Sequence, residues 1–62
     1  MKRRELLREL SRAKCILKRS GGAHDIWHNP HSGRSAPIPR HTEIANSLCR
    51  LIRTQLGIDP KN

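Results

Sequence analysis

The chain has 62 residues, an apolar fraction of 34% and a single aromatic residue, Trp27. This length allows one domain with a thin core, so we expect marginal stability and a partner that stabilises the folded state. Its 13 Lys and Arg residues outnumber 5 acidic residues and give a net charge of +8. Such a charge attracts polyanions, of which nucleic acid is the commonest and an acidic protein the second.

Several classes of protein are disfavoured by the sequence. The longest apolar run, at residues 15–17, is far too short to span a bilayer, and no apolar run follows the basic N-terminus as in a secretory signal. Two isolated cysteines, Cys15 and Cys49, are too few for a disulfide framework and fit a reducing compartment. We therefore expect a cytoplasmic protein with no membrane contact and no small-molecule cofactor.

The first half of the chain predicts a helix followed by a β-hairpin. The helix is expected at residues 3–13, and the two strands at 15–19 and 23–28. The turn between the strands contains Ser20-Gly21-Gly22, and glycine allows the positive φ that tight hairpins need. Three apolar residues share one face of the predicted helix: Leu6, Leu10 and Ala13.

The second half predicts a third strand and a second helix. The strand at residues 34–38 contains a proline, which favours a sheet edge. The helix is expected at about 47–56, with Asn46 as its N-cap. Gly57 suits the left-handed position after the helix, and Ile58 suits the accompanying apolar contact. The apolar stripe of this helix has five members: Ile44, Leu48, Leu51, Ile52 and Leu56.

These elements predict one α+β domain over residues 1–62, of order α-β-β-β-α, with 59–62 as a frayed tail. A three-stranded antiparallel sheet with both helices on one face is the simplest way to bury both helical stripes. The sequence does not decide which face of the second strand is buried. Ile26 favours burial of the sheet face that holds His24, whereas Trp27 favours burial of the opposite face.

The four histidines, His24, His28, His31 and His41, allow three interpretations. A zinc site with a cysteine is disfavoured, because their spacing matches no closed structural pattern. Hydrogen bonding or stacking on bases is the preferred role of the last three. His24 follows a glycine turn, and its imidazole suits a general base toward the 2′-hydroxyl of RNA.

Basic residues near this turn are candidates for binding RNA phosphates. Four of them lie on segments that the predicted sheet brings close to His24: Lys18, Arg19, Arg34 and Arg40. Gly22 is a further candidate, because a backbone N–H without a side chain can approach a phosphate closely.

The residues alone leave more than one function open. A metal-independent ribonuclease and a non-catalytic module for structured RNA both fit the charge and the fold. DNA binding is weaker, because the second helix must bury its apolar stripe and no helix-turn-helix spacing precedes it.

Five short segments, in this order, cover nearly the whole chain: residues 2–8, 15–19, 22–27, 38–41 and 48–58. In order and spacing they resemble the HicA family of toxins from type II toxin–antitoxin systems. The resemblance implies a fold similar to the double-stranded-RNA-binding domain. It also implies an endoribonuclease (an mRNA interferase) that cuts mRNA and is neutralised by an antitoxin of the HicB family.

The family's functional histidine falls on His24, which the antitoxin would mask. One position departs from the family pattern: Ala23 stands where Ser or Thr usually precedes the histidine. If that hydroxyl orients the base or the phosphate, this chain has lowered activity. Trp27 stands where the family more often has Tyr, which is a milder change.

Overall fold

The computed structural model describes residues 1–58, and the tail expected at 59–62 lies outside them. Its helices and strands are α1 Arg3–Arg12, β1 Ile16–Ser20, β2 His24–Asn29, β3 Arg34–Pro39 and α2 Asn46–Leu56. The predicted order α-β-β-β-α is confirmed, with boundaries displaced by about one residue. None of the helices in the described part of the chain has the length and apolar character needed to cross a membrane.

The three strands form an antiparallel sheet in the order β1-β2-β3. In β2, Trp27 pairs with Leu17 on one side and with Ala36 on the other. A bulge lies between Leu17 and Arg19, so that Lys18 is the extra residue of β1. The bulge keeps Arg19 in register with Ile26 and therefore on the face of the sheet that Ile26 occupies.

Both helices pack on one face of this sheet, as predicted. Trp27 packs against the buried cluster, and alternation along β2 then places His24, Ile26 and His28 on the opposite face. We call that opposite side the open face. The sequence left open which face of β2 is buried, and the structure buries the face that carries Trp27. The core joins residues of α1, β3 and α2: Leu6, Leu10, Ala36, Ile38, Cys49, Ile52 and Leu56.

The ends of α2 differ in how well the sequence predicted them. Asn46 is not the N-cap but the first helical residue, because Ala45 occupies the cap position with extended backbone and no side-chain hydrogen bond. At the other end Gly57 adopts the expected left-handed conformation, with φ 73°. Ile58 donates its N–H to Arg53 O at 2.9 Å and packs against the core, so the predicted helix end is confirmed.

An ion pair joins the two helices. Arg53 of α2 donates from Nε to Glu9 Oε2 at 2.6 Å and from Nη2 to Glu9 Oε1 at 2.9 Å. The hydrogen bond from Arg53 holds the pKa of Glu9 below its usual range. This bidentate contact links α1 to α2 by two charge-assisted hydrogen bonds.

Candidate nucleic-acid interface

The turn that precedes His24, residues 21–23, is closed by a backbone contact. Gly21 donates its N–H to His24 O at 2.8 Å, and a Cβ on Gly21 would lie 2.8 Å from the same oxygen. Glycine is therefore needed at this position for close backbone approach. The predicted reason was wrong, because neither Gly21 nor Gly22 has a positive φ. Ser20 pairs with Asp25, so the loop is longer than the two-residue hairpins that require that conformation.

Asp25 anchors two arginines directly beneath this turn. Its side chain is only 15% exposed and accepts hydrogen bonds from Arg40 and Arg3. Arg40 Nη2 lies 2.6 Å from Oδ1, and Arg3 Nη2 lies 2.7 Å from Oδ2. The hydrogen bond from Arg40, aided by the positive charges of both arginines, holds the pKa of Asp25 below its usual range.

Arg40 also holds the turn itself. Its Nη2 donates to Gly21 O at 2.7 Å, and its Nη1 donates to Gly22 O at 3.3 Å. One guanidinium thus links the Asp25 carboxylate to both glycine carbonyls, in a fork geometry that lysine does not offer. Arg40 therefore supports the turn before His24 from outside, in addition to the backbone hydrogen bond that closes it.

His24 is exposed, at the first residue of β2 on the open face. Among the hydrogen bonds within residues 1–58, none involves its imidazole. His28 shares the face but lies about 13 Å further along the strand, and its Nδ1 is 2.8 Å from Ser35 Oγ. His31 and His41 are exposed in loops. In residues 1–58, no three His, Cys, Asp or Glu side chains assemble as metal ligands do.

The five predicted phosphate-binding residues lie in three places. Lys18 and Arg19 line a shallow cavity of about 290 Å³ with Ile26, on the same face as His24. Gly22 lies in the turn described above, and Arg40 donates to its carbonyl from the segment after β3. Arg34 is different, because it pairs with Asn29 at the far end of β2 and donates from Nη1 to Thr54 O at 3.2 Å.

Five residue steps separate Asn29 from His24, a distance of roughly 17 Å along the strand. The fold thus places Gly22 and Arg40 at the end of the sheet that carries His24, and Arg34 at the other end. Lys18 and Arg19 lie between these ends, beside the middle of β2.

Sequence reasoning missed Arg3. It lies at the start of α1, and its Nε donates to Pro39 O at 2.9 Å while its Nη2 contacts Asp25. One signal pointed toward such a contact: Asp25 is the only acidic residue between Glu9 and Glu43 in a strongly basic chain. A lone carboxylate among so many cations is expected to be paired, although the sequence does not say with which ones.

The fold and this end of the sheet define a class of protein: a small, basic α+β domain that presents an exposed histidine on an open sheet face. The family described as HicA toxin of bacterial toxin-antitoxin matches residues 3–58, and the chain belongs to that family. It is therefore the toxin of a toxin–antitoxin system, with an antitoxin as its partner. No curated protein and no solved structure shows a significant match to the chain. The likeness to the double-stranded-RNA-binding domain stays a prediction.

Proposed function

We propose that this toxin is a cytoplasmic endoribonuclease that cleaves mRNA, with His24 as the general base. The observation that carries the proposal is the exposed position of His24 on the open face, directly after a turn held by Arg40. An imidazole titrates near neutral pH, so it can accept a proton under physiological conditions. Family membership supports the proposal, because a toxin requires a target in its own cell.

The proposed reaction uses a nucleophile that RNA carries itself. His24 removes the proton of a 2′-hydroxyl, and the 2′-oxygen attacks the adjacent phosphorus. The bond from phosphorus to the 5′-oxygen then breaks, and that oxygen takes up a proton. The products are a 2′,3′-cyclic phosphate and a 5′-hydroxyl end. Because the nucleophile is internal to the substrate, the reaction does not need a metal ion to generate one.

The cations around His24 suit the charge of this reaction. Lys18 and Arg19 lie on the same side of the sheet, and Arg40 lies beside the turn. Fixed positive groups stabilise the negative charge that builds up on the phosphorane oxygens. In this proposal Gly22 offers its backbone N–H to a phosphate. Arg34, which donates from Nη1 to Thr54 O, contacts the RNA at a distance from the cleaved bond.

The proposed partner that silences the toxin is a HicB-type antitoxin bound over the open face. That face is basic, and it exposes Ile16 at 54% together with part of Ile26. A partner that covers it removes His24 from solvent and shields apolar surface at the same time.

A non-catalytic RNA-binding module is the second candidate. One observation favours it: within residues 1–58 no side chain makes a hydrogen bond to the His24 imidazole that would orient it. Catalytic histidines are commonly held by such a partner. In this alternative the same basic surface binds structured RNA by shape and charge.

The test compares His24→Ala with His31→Ala, a matched exposed histidine in the other hairpin turn. Purified proteins are incubated with mRNA in the presence of EDTA, and the ends of any fragments are analysed. We expect the wild type and His31→Ala to cut at similar rates, and His24→Ala to be slower by at least about 100-fold. A 2′-deoxy substitution at the cut site should block cleavage.

Three results contradict the proposal in different ways. If the wild type binds RNA without cutting it, the non-catalytic alternative holds. If EDTA abolishes cutting, the reaction is not metal-independent. If His24→Ala and the wild type cut equally well, another residue is the base.

A further inference from the structure

A second basic concavity adjoins the His24 turn, at the beginning of α1. We call it the α1 cleft; it has a volume of about 380 Å³. Arg40 connects this cleft to the turn, because it lines the cleft and also donates to Gly21 O and Gly22 O. The cleft is lined by five residues: Lys2, Arg3, Arg4, Arg40 and Thr42.

The walls of the α1 cleft are fixed by backbone contacts. Arg3 donates its N–H to Thr42 O at 2.8 Å, and Lys2 forms an isolated antiparallel bridge with Glu43. Arg3 is held further by Pro39 O and Asp25. The cleft therefore does not depend on flexible lysine and arginine side chains alone, since the start of α1 and the segment after β3 are tied together.

The charges of the cleft are only partly compensated. Lys2 pairs with Glu43 at 3.2 Å, and Arg3 and Arg40 share the carboxylate of Asp25. Within the part of the chain that the structure describes, Arg4 has no carboxylate at ion-pair distance, and its side chain is exposed. Four cations thus face two carboxylates, and the occupant best suited to the space is an anion.

We propose that the α1 cleft binds a backbone phosphate of the RNA strand, outside the phosphate that is cleaved. The inference rests on the proposed function for the identity of the ligand. RNA suits the cleft better than an acidic protein segment, because a strand carries regularly spaced charges and can contact Arg40 at the turn and Arg4 in the cleft together. A volume of this size is at the lower end for small-ligand sites and matches one phosphate with its sugar.

The test uses the His24→Ala protein, so that bound RNA is not cut. Arg4→Gln is compared with Arg12→Gln, which removes the same charge from an exposed position at the other end of α1. Binding of a short, fluorescently labelled single-stranded RNA is measured across a range of salt concentrations. We expect Arg4→Gln to weaken binding several-fold and to reduce the slope of log K against log salt by about 0.7, the value for one phosphate contact on a single strand.

Arg12→Gln should leave that slope within error of the parent, and Arg4→Lys should restore most of it. Equal slopes for Arg4→Gln and Arg12→Gln overturn the proposal. If Arg4→Gln leaves RNA binding unchanged but weakens binding of the antitoxin, the cleft is a protein contact and the proposal is also wrong. These outcomes are independent of cleavage, since failure of the wild type to cut RNA contradicts the proposed function and leaves the binding comparison intact.

Discussion

The two turns at opposite ends of β2 are built by different kinds of interaction. The turn before β2, at residues 21–23, is held by charged side chains from distant segments, chiefly Arg40 on Gly21 O and on Asp25. The turn after β2, at residues 30–33, is held by neutral hydrogen bonds to the end of α2. The residues of both turns are exposed, but the first turn adjoins the exposed His24, whereas the second follows the buried Asn29.

Asn29 organises the second turn. Its side chain is buried, donates from Nδ2 to Leu56 O at 2.7 Å and accepts at Oδ1 from the N–H of His31 at 3.0 Å. Ser32 Oγ donates to the same Leu56 carbonyl at 2.7 Å. A carbonyl at a helix end, which otherwise lacks a partner, thus receives two donors from the turn.

Because of this difference, we expect one turn to serve mainly stability and the other mainly function. The neutral hydrogen bonds of the second turn are buried or partly buried, and they stabilise the fold because leaving a buried group such as the Asn29 amide unpaired is costly. Ion pairs at an exposed turn contribute less to stability, but they concentrate cations where an anionic ligand can approach. We therefore expect substitutions at the second turn to affect mainly folding, and those at the first turn to affect mainly RNA.

The largest effect on stability is expected from Gly57→Ala, with Gly33→Ala as its matched control. Both glycines have φ 73°, so alanine carries a left-handed penalty of roughly 1–2 kcal/mol at either position. At Gly57 the new Cβ would also lie 2.9 Å from Ser32 Cβ, whereas at Gly33 it meets nothing within 4 Å.

Thermal unfolding measures the difference between these two variants. For a domain of this size, 1 kcal/mol corresponds to a shift in Tm of about 4–8 °C. Gly57→Ala should lower Tm by clearly more than Gly33→Ala does. Equal shifts would mean that Ser32 moves aside freely and that the second turn is not tightly bound to α2.

At the first turn, Gly21→Ala and Gly22→Ala form the corresponding pair. Alanine at Gly21 would break the contact with His24 O, which costs about 1 kcal/mol of stability. It should also slow RNA cleavage, because that oxygen belongs to the residue proposed as the base. Alanine at Gly22 meets no atom within 4 Å and should leave Tm unchanged, while weakening RNA binding if its N–H approaches a phosphate.

Urea unfolding, RNA cleavage and RNA binding by the two variants distinguish these expectations. A loss of stability in Gly22→Ala similar to that in Gly21→Ala would show that the whole turn is conformationally constrained. The assignment of close approach to Gly21 alone would then be incorrect.

The smallest effect on stability is expected from lowering the pH, which protonates Asp25. The pKa of Asp25 is lowered in the folded protein, so its contribution to stability is present above its unfolded value of about 3.9 and is lost as pH falls through the lower folded value. The urea midpoint of Asp25→Asn should therefore lie below that of the wild type at neutral pH. The two midpoints should begin to approach each other below about pH 4 and should converge only below the folded pKa of Asp25.

Glu5→Gln is the control for this titration, since Glu5 is exposed and makes no ion pair within residues 1–58. Its difference from the wild type should stay small at every pH. A constant difference between the wild type and Asp25→Asn across the acid range would contradict the role given to the two arginines.

The element order was predictable because its signals are local. The apolar spacing of Leu6 and Leu10 predicts a helix, and Gly57 followed by Ile58 predicts where α2 ends, as the structure confirms. Local signals predicted a helix end less well where two neighbouring residues could both be the N-cap. Asn46 is a better capping residue than Ala45, yet α2 begins at Asn46 and Ala45 holds the cap position without a side-chain hydrogen bond.

The details of the site depend on contacts between distant segments. Arg40 was placed near the turn by sequence, but its bonds to two carbonyls and a carboxylate follow from the path of the chain after β3. Arg3 lies 22 positions before Asp25, so no spacing rule joins them. Burial of the Asn29 side chain has no local signal in the sequence, because it requires the end of α2 to lie beside β2.

Trp27 makes the protein its own spectroscopic probe. It is the only aromatic residue, it packs against the core on the helix side of β2, and its indole Nε1 is buried without a hydrogen-bond partner in the described chain. Its fluorescence therefore reports the docking of the helices on the sheet, and its emission should shift to the red when they separate. Because His24 occupies the opposite side of the strand, a ligand on the open face can bind without touching the fluorophore.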